Sequence, residues 1–179
     1  MNAELKKTID SDMHRYGSSV GLIRPLYLKW QITYRKASYY PGRSLAGIWY
    51  RLRLKSLSER SGIQIPTAVN MGRGLFLGHN GRIIINPDAK LGDNINIATG
   101  VTIGKTNRGG SKGVPVIGND VWIGTNAVIV GGITVGDDVL IAPNAYVNMS
   151  VPSHSIVIGN PATIHHRDNA TQDYINNRI

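Results

Sequence analysis

The side chain best suited to acid–base chemistry is His79, in the glycine-flanked stretch Gly78-His79-Asn80-Gly81. A neutral imidazole near pH 7 can accept the proton of a hydroxyl group as the oxygen attacks a carbonyl, a step worth about 10²–10⁴ in rate. The chain has no cysteine, which excludes an acyl-cysteine intermediate, a thiolate metal site and disulfides. The alternative for His79 is a solvated surface histidine without a role.

A sequence repeat from Ile65 onward predicts the scaffold that positions this histidine. A period of six residues fits neither a 3.6-residue helix nor a two-sided strand. It predicts a parallel β-solenoid in which three hexads form one triangular coil, with Gly, Asn and Asp at the corners. An ordinary antiparallel sheet is the alternative, but it would not keep one phase from 117 to 147. The repeated aliphatic positions are Ile65, Met71, Leu77, Ile83, Ile85, Leu91, Ile97, Ile103, Ile117, Ile123, Ile129, Val135, Ile141 and Val147.

The register of the repeat changes twice. A two-residue slip separates Ile83 from Ile85, and a polar stretch at 104–116 interrupts the hexads. We expect this stretch to be a loop inserted between two coils, and loops on rigid scaffolds often carry function. We therefore predict a mainly β protein with a solenoid domain at 63–164 that includes loop 104–116.

The two ends of the chain lack the hexad pattern. Residues 1–62 are predicted to be an N-terminal helical segment, with helices from Glu4 to about Tyr16 and from Ser44 to Ser58. Between them we expect a segment that Ser18 or Ser19 caps and that Pro25 interrupts. Residues 165–179 are predicted to be a polar C-terminal tail that either packs or frays.

The net charge of +9 comes almost entirely from the helical segment. Residues 1–62 hold 12 of the 20 Lys and Arg residues, 4 of the 11 acidic residues and 8 of the 12 aromatic residues. One interpretation is a helical cap over the open end of the solenoid, with Trp30, Trp49 and Leu52 buried. Another is contact with a membrane surface or a glycan, whereas nucleic acid is disfavoured because no reader motif is present. The N-terminus has no signal-peptide features, so we expect a cytoplasmic protein, with peripheral contact at the inner face of the membrane as an option.

Three stretches, together with the hexads, resemble the hexapeptide-repeat acyltransferases. They are Gly-Leu-Phe-Leu-Gly-His-Asn-Gly (74–81), Val-Thr-Ile-Gly-Lys (101–105) and Val-Pro-Ser-His-Ser-Ile-Val-Ile-Gly-Asn-Pro-Ala (151–162). The resemblance is strongest to serine acetyltransferases and to their relatives that acetylate capsular or exopolysaccharide sugars. It implies a left-handed parallel β-helix, a homotrimer, and acetyl-CoA in a groove between two subunits. It also makes His79 the catalytic general base.

The chain departs from the serine acetyltransferases near His79. Gly78 and Gln64 stand where that branch has acidic residues, and Gly113-Val114-Pro115 replaces its Arg-His-Pro. A serine zwitterion would then lack its ionic partners. This favours a neutral carbohydrate acceptor, a sugar hydroxyl of a capsular polysaccharide or its precursor, with Asn80 and Arg82 as substrate contacts. Serine O-acetylation is the alternative enzyme activity, and a scaffold without activity is the non-enzyme alternative.

The resemblance also implies the co-substrate contacts. They carry over to Lys105, Thr125 and Pro143 on one edge, with a backbone N–H at Gly104-Lys105 for the oxyanion. With Gln64 and Gly78 in place of carboxylates, the orientation of His79 must come from another group, such as a backbone carbonyl, or Asp88 or Asp93 from an adjacent coil. Narrow residues beside the contacts, and cations for the phosphates, complete the predicted set: Gly104, Gly124, Ala142, Arg108, Lys112 and Arg167.

We expect no metal cofactor. Carbonic anhydrases of this fold bind zinc through histidines on neighbouring coils, but the positions one coil away from His79 hold Ile97 and Ile103. The remaining candidates, His154, His165 and His166, lie near the C-terminus and do not complete such a set with His79.

Overall fold

Residues 2–17 and 24–179 are described by the computed structural model. Three helices, α1 (Ala3–His14), α2 (Leu26–Tyr39) and α3 (Leu45–Ser61), precede short strands that wind into a solenoid. The strands are β1 (Ile63–Gln64), β2 (Asn70–Met71), β3 (Phe76–Leu77), β4 (Ile83–Ile85), β5 (Lys90–Leu91), β6 (Asn96–Ile97), β7 (Thr102–Gly104), β8 (Val116–Ile117), β9 (Val121–Ile123), β10 (Val128–Val130), β11 (Thr134–Val135), β12 (Val139–Ile141), β13 (Tyr146–Val147), β14 (Ser155–Ile158) and β15 (Thr163–His166).

The strands form three sheets, which are the faces of a triangular prism. Face 1 has the order β1-β4-β7-β10-β13, face 2 β2-β5-β8-β11, and face 3 β3-β6-β9-β12-β14-β15. The neighbours are parallel, except that β14 and β15 are antiparallel. The predicted parallel β-solenoid of stacked coils with N-terminal helices is thus confirmed.

The hexad positions form the core of the prism. Every aliphatic residue of the predicted repeat is buried except Met71, which is half-buried. Three corners place an Asn or Asp residue in the left-handed region, with φ between 53° and 58°: Asn94, Asp120 and Asp138. Asn and Asp tolerate this conformation better than other non-glycine residues, which explains why they mark the corners.

The helices pack on the first coil of the solenoid. The hydroxyl of Tyr16 accepts a hydrogen bond from Leu77 N–H at 2.8 Å and donates to the Leu77 carbonyl oxygen. Gln31 Nε2 donates to the Leu75 carbonyl oxygen at 2.7 Å. Burial raises the pKa of the Tyr16 hydroxyl. These side chains satisfy backbone groups of the first coil, where no preceding strand is available to pair with them.

The capping interpretation of the helical segment is right for Trp30 and wrong for Trp49 and Leu52. Trp30 is fully buried against Tyr34, whereas Trp49 and Leu52 are 53% and 65% exposed. Their side of α3 faces away from the solenoid because the opposite side, with Leu54 and Leu57, packs on the core. Pro25 does not interrupt a helix: it is the N-cap of α2, where its missing N–H costs nothing. Ser18 and Ser19 lie outside the described residues.

A buried ion pair joins α1 and α2 to the solenoid. Arg35 Nε and Nη2 donate to the Asp12 carboxylate at 2.7 and 2.9 Å, and the two side chains are only 6% and 1% exposed. Arg35 also donates to the carbonyl oxygens of Met71 and Gly72, while Asp12 accepts from Leu75 N–H. The pair therefore links two helices and the first coil.

The C-terminal tail packs along face 3. The Tyr174 ring contacts the Trp122 ring edge-on at a centroid distance of 5.0 Å, and its carbonyl oxygen accepts from Asn96 Nδ2. The Asn176 carbonyl oxygen accepts from Arg15 at 2.9 Å. Burial lowers the pKa of the Arg15 guanidinium to about 10, so it stays charged at neutral pH. Of the two options for the tail, packing is the one observed.

We predict that Asp12→Ala lowers the free energy of unfolding by about 3–5 kcal/mol, because it leaves the buried Arg35 cation without its partner. Urea unfolding measures this change. Asp10→Ala is the matched control: its exposed pair with Lys6 is worth at most about 0.5 kcal/mol. Equal losses in the two variants would contradict the role of the buried pair.

Candidate active site

His79 lies in a turn that is two residues longer than the turn of the next coil. Leu77 pairs with Ile97, twenty residues later, but Ile84 pairs with Thr102, only eighteen residues later. Six residues therefore lie between Leu77 and Ile84 in the first coil, whereas four lie between Ile97 and Thr102 in the second. The two-residue slip in the hexads is real, but it lies in the His79 turn rather than within β4.

The extra residues expose the predicted catalytic and substrate residues together. His79, Asn80 and Arg82 are all exposed. The turn is held at its C-terminal end by Gly81 N–H, which donates to the Ser61 carbonyl oxygen at 2.8 Å, and by Arg82, whose carbonyl oxygen accepts from Gly100 N–H of the next coil. The His79 imidazole is thereby presented outward on a turn with a fixed backbone.

The expected partners that would orient His79 are not found within one copy of the chain. Among the described residues, no group hydrogen-bonds to its ring. Asp93 bonds to Arg73 at the corner between faces 2 and 3, and Asp88 follows β4 at the corner between faces 1 and 2. Both expectations are wrong because the coil geometry puts these carboxylates on other corners than His79.

Successive corners extend from the His79 turn along one ridge of the prism. We call this the corner ridge: residues 78–82, 98–100, 124–126 and 142–144. The Thr99 carbonyl oxygen accepts from Asn126 N–H and the Thr125 carbonyl oxygen accepts from Asn144 N–H, each at 2.9 Å. With about 4.8 Å between coils, the ridge leads roughly 14 Å from the coil of His79 to the coil of Pro143. Successive coils stack closely along the ridge, since a Cβ atom on Gly124 would lie only 2.6 Å from Pro143 N.

A groove of about 770 Å³ opens on face 3 beside the far end of the corner ridge. Ala142, Pro143 and Arg167, three of the predicted co-substrate contacts, line it, and Trp122 and Tyr174 form part of its apolar wall. Gly124, Thr125, Ala142 and Pro143 lie on the corner ridge, whereas Arg167 follows β15 at the opposite edge of face 3, where its N–H donates to the His154 carbonyl oxygen, and lines the groove from that side. The lining combines this apolar wall with one cation, Arg167, and one carboxylate, Asp173, so the groove suits an elongated ligand that has both apolar and polar parts.

Lys105 does not share this ridge. Gly104 ends β7 and Lys105 follows it at the other edge of face 1, where the Gly104 carbonyl oxygen accepts from Gly131 N–H. The prediction that Lys105 lies on one edge with Thr125 and Pro143 is wrong, because the three-residue strand β7, about 10 Å long, separates the two corners. Within one copy, the Gly104-Lys105 backbone is therefore too far from His79 to contact the same reacting group.

The predicted loop protrudes at this second corner. Thr106 and Gly113 exchange two backbone hydrogen bonds of 2.9 Å, which close residues 107–112 into a small hairpin. Arg108 and Lys112 are exposed on it. The cations predicted for phosphate contact are thus divided between two corners: the loop lies between faces 1 and 2, and Arg167 lies between faces 2 and 3.

Asp138 anchors the C-terminal tail that lines the groove. Burial raises its pKa, but hydrogen bonds from the Thr171 hydroxyl and N–H, from His154 and from the Ala170 N–H outweigh this effect and hold the pKa at about 2. The carboxylate is therefore charged at neutral pH. Within the described part of the chain, no three His, Cys, Asp or Glu side chains are grouped for a metal ion.

The repeat and the fold match known proteins. The family described as bacterial transferase hexapeptide (six repeats) matches residues 115–148. Among solved structures, soybean serine acetyltransferase is 23% identical, with a TM-score of 0.78 over 92% of this chain and 70% of that one. A coenzyme A complex of serine acetyltransferase from Brucella abortus strain S19 is 29% identical, with a TM-score of 0.73 over 93% and 69% of the two chains. The corresponding values for the serine complex of the Neisseria gonorrhoeae enzyme are 29%, 0.68, 90% and 69%.

The chain has the left-handed β-helix fold of the hexapeptide acyltransferases. These matches bear out the predicted fold and support the prediction of an acyltransferase, but all three solved relatives named above are serine acetyltransferases and none is a capsular acetyltransferase. No curated protein sequence matches the chain significantly.

We predict that Asp138→Asn weakens coenzyme A binding by about tenfold, because the tail that carries Arg167 loses charge-assisted hydrogen bonds. Titration calorimetry with coenzyme A measures the change. Asp137→Asn is the matched control, since this neighbouring side chain is exposed and bonds only to Asn119 N–H in the described structure. Equal affinity in wild type and Asp138→Asn would contradict the anchoring role.

We also predict that deletion of Asn80 and Gly81 abolishes acetyl transfer while the solenoid still folds. The deletion gives the first coil the same turn length as the second coil, so His79 loses the bulge that presents it. Circular dichroism and thermal melting check the fold, and release of coenzyme A measures activity. Full activity of the folded deletion variant would show that the extra turn residues have no part in the site.

Proposed function

We propose that this protein is an acetyl-CoA-dependent O-acetyltransferase with His79 as its general base. The observation that carries the proposal is the placement of an exposed imidazole in an enlarged turn at the head of the corner ridge, which leads to a groove lined by Ala142, Pro143 and Arg167. The coenzyme A complex of the Brucella abortus relative supports the same co-substrate.

The reaction that we propose is direct transfer. The His79 imidazole accepts the proton of the acceptor hydroxyl while that oxygen attacks the thioester carbonyl carbon. The tetrahedral intermediate collapses with loss of the thiolate, which takes the proton back from the imidazolium and leaves as coenzyme A. The products are an acetyl ester and a free thiol, and His79 returns to its neutral form.

A homotrimer would complete this site. The corner ridge and the Gly104-Lys105 corner lie on opposite edges of face 1, so one copy cannot offer both to one ligand. In a ring of three copies related by a three-fold axis, one edge of each prism can meet the other edge of its neighbour. Lys105, Arg108 and Lys112 of one copy would then face the corner ridge of the next, and a backbone N–H there could meet the oxyanion. The neighbour would also supply the group that orients His79.

L-Serine is the first candidate acceptor. The solved relatives are serine acetyltransferases, and the Neisseria gonorrhoeae relative was solved with serine. Arg82, exposed in the His79 turn, is a cation that could pair with the serine carboxylate. Among the described residues, no carboxylate forms a hydrogen bond or ion pair with this turn, so the ammonium group would need an acidic partner, for instance from a neighbouring copy.

A sugar hydroxyl of a surface polysaccharide or its precursor is the second candidate acceptor. A cavity of about 310 Å³ opens beside Phe76, three residues before His79, and its lining has four aromatic rings and three asparagines. Its single charged group, Arg15, donates to Gly74, Asn96 and Asn176. Neutral amides with aromatic faces suit a polyhydroxylated ligand better than a zwitterion. The comparisons give this acceptor no support.

The experiment is release of coenzyme A from acetyl-CoA, measured with L-serine and with de-O-acetylated capsular oligosaccharides. We expect turnover with a hydroxyl acceptor, and His79→Ala should lower kcat by about 10²–10⁴. His14→Ala is the matched control, because His14 is exposed on α1 and has no part in the proposed site.

The acceptor that turns over decides between the two candidates. Turnover of serine alone would exclude the sugar acceptor, and turnover of the oligosaccharide alone would exclude serine. Two results would overturn the proposed function: an unchanged kcat in His79→Ala, or no transfer to any acceptor together with no binding of coenzyme A.

A further inference from the structure

The outer side of α3 carries an apolar stripe that no described part of the chain covers. We define the α3 stripe as Leu45, Ile48, Trp49 and Leu52, which are 89%, 45%, 53% and 65% exposed. Their spacing of three and four residues puts them on one face of the helix. The opposite face packs on the solenoid through Leu54 and Leu57. The helix therefore has two apolar sides, of which one is used in the fold.

A basic pocket adjoins the stripe. We define the α2–α3 pocket as the cavity of about 230 Å³ lined by Arg24, Lys29, Ile32, Thr33, Lys36, Trp49, Tyr50 and Arg53. Four of its eight side chains are cations and none is acidic. Trp49 belongs to both the stripe and the pocket, so the apolar surface and the cations are contiguous.

Aromatic rings hold two of these cations in place. The Arg53 guanidinium carbon lies 5.3 Å from the centre of the Trp49 ring, and Lys36 Nζ lies 5.3 Å from the centre of the Tyr50 ring. Among the described residues, no carboxylate lies within ion-pair distance of any of the four cations. Residues 24–58 hold eight Lys or Arg and no Asp or Glu, so the charge of this surface is not neutralised locally.

We propose that the α3 stripe and the α2–α3 pocket dock the protein on an anionic lipid bilayer, with a lipid phosphate in the pocket. A helix that lies in a membrane interface combines an apolar face with flanking Lys and Arg, and Trp is favoured at the level of the headgroups. The cations supply the attraction to anionic lipid, and the stripe enters the boundary of the acyl region.

Charge complementarity distinguishes this occupant from a second copy of the chain. Two copies joined stripe to stripe would bring two unneutralised basic pockets together, and like charges repel at such a contact. An anionic bilayer instead neutralises the pocket and covers the stripe. No helix in the described part of the chain is long and apolar enough to cross a bilayer, so the docking is peripheral. The inference does not depend on the proposed acetyl transfer.

The test is co-sedimentation of the full-length protein with vesicles of phosphatidylcholine alone and of phosphatidylcholine with about one-third phosphatidylglycerol. We expect binding to the anionic vesicles that weakens with added salt. Leu52→Glu and Arg53→Glu should each reduce the partition coefficient by about tenfold or more. The matched controls Val116→Glu and Lys90→Glu, at exposed positions of the solenoid, should bind like wild type.

Tryptophan fluorescence locates the contact. Trp30 is fully buried and Trp122 half-buried, so Trp49 should account for a blue shift on vesicle binding. Trp49→Phe keeps an aromatic ring in the stripe; it should still sediment with anionic vesicles but lose the shift. Thermal melting checks that every variant is folded.

Several results would overturn the proposal. These are no binding to anionic vesicles, equal binding to neutral vesicles, or equal losses in the stripe and control variants. A change of oligomeric state in lipid-free Leu52→Glu would assign the stripe to a protein interface instead. Displacement of the protein from vesicles by inorganic phosphate at physiological ionic strength would show that the pocket takes free phosphate rather than a bilayer.

Discussion

Hydrogen bonding between successive coils is the constraint on which the rest of this structure depends. Each strand of a face pairs with the strand one coil away, so the chain cannot gain or lose residues inside a face without losing the ladder. Extra residues fit only at corners. The two largest departures from the regular coil, two residues in the His79 turn and the loop after β7, both lie at corners. The groups proposed for chemistry lie at those corners.

The same ladder leaves the first coil with unpaired backbone groups, and the helices satisfy part of that need with side chains. Tyr16, Gln31, Arg35 and Arg15 bond to backbone groups between Met71 and Leu77. Capping uses one side of the helical layer and leaves the basic outer side free. This explains how a nearly neutral solenoid and a strongly basic segment belong to one fold.

The regular part of the fold could be predicted from sequence because each hexad repeats the same pattern of buried and corner residues. An inward aliphatic residue and an Asn or Asp residue at a corner, such as Asp120, recur in coil after coil. Because the pattern repeats many times, a single irregular hexad does not hide it. The His79 turn could be found from sequence, but the two-residue slip in the hexads was placed between Ile83 and Ile85. Both residues are apolar, and only the strand pairing shows that the extra residues lie in the turn before β4.

The parts that could not be predicted depend on long-range contacts. The separation of Lys105 from Thr125 follows from which corner each reaches in three dimensions. The tail contacts of Asp138 with Ala170 and Thr171 have no periodic signal in the sequence. Trp49 and Leu52 were expected to be buried because they are apolar and helical. The α3 helix has apolar residues on two sides, and sequence spacing alone does not tell which side faces the core.

A structure of the protein with coenzyme A bound is the most direct test of the claim that the corner ridge is the active site. We expect coenzyme A to lie along the corner ridge, with its thiol next to the His79 imidazole and its other end in the groove that Pro143 and Arg167 line. Coenzyme A bound at another corner of the prism, or a thiol placed out of reach of His79, would contradict this assignment.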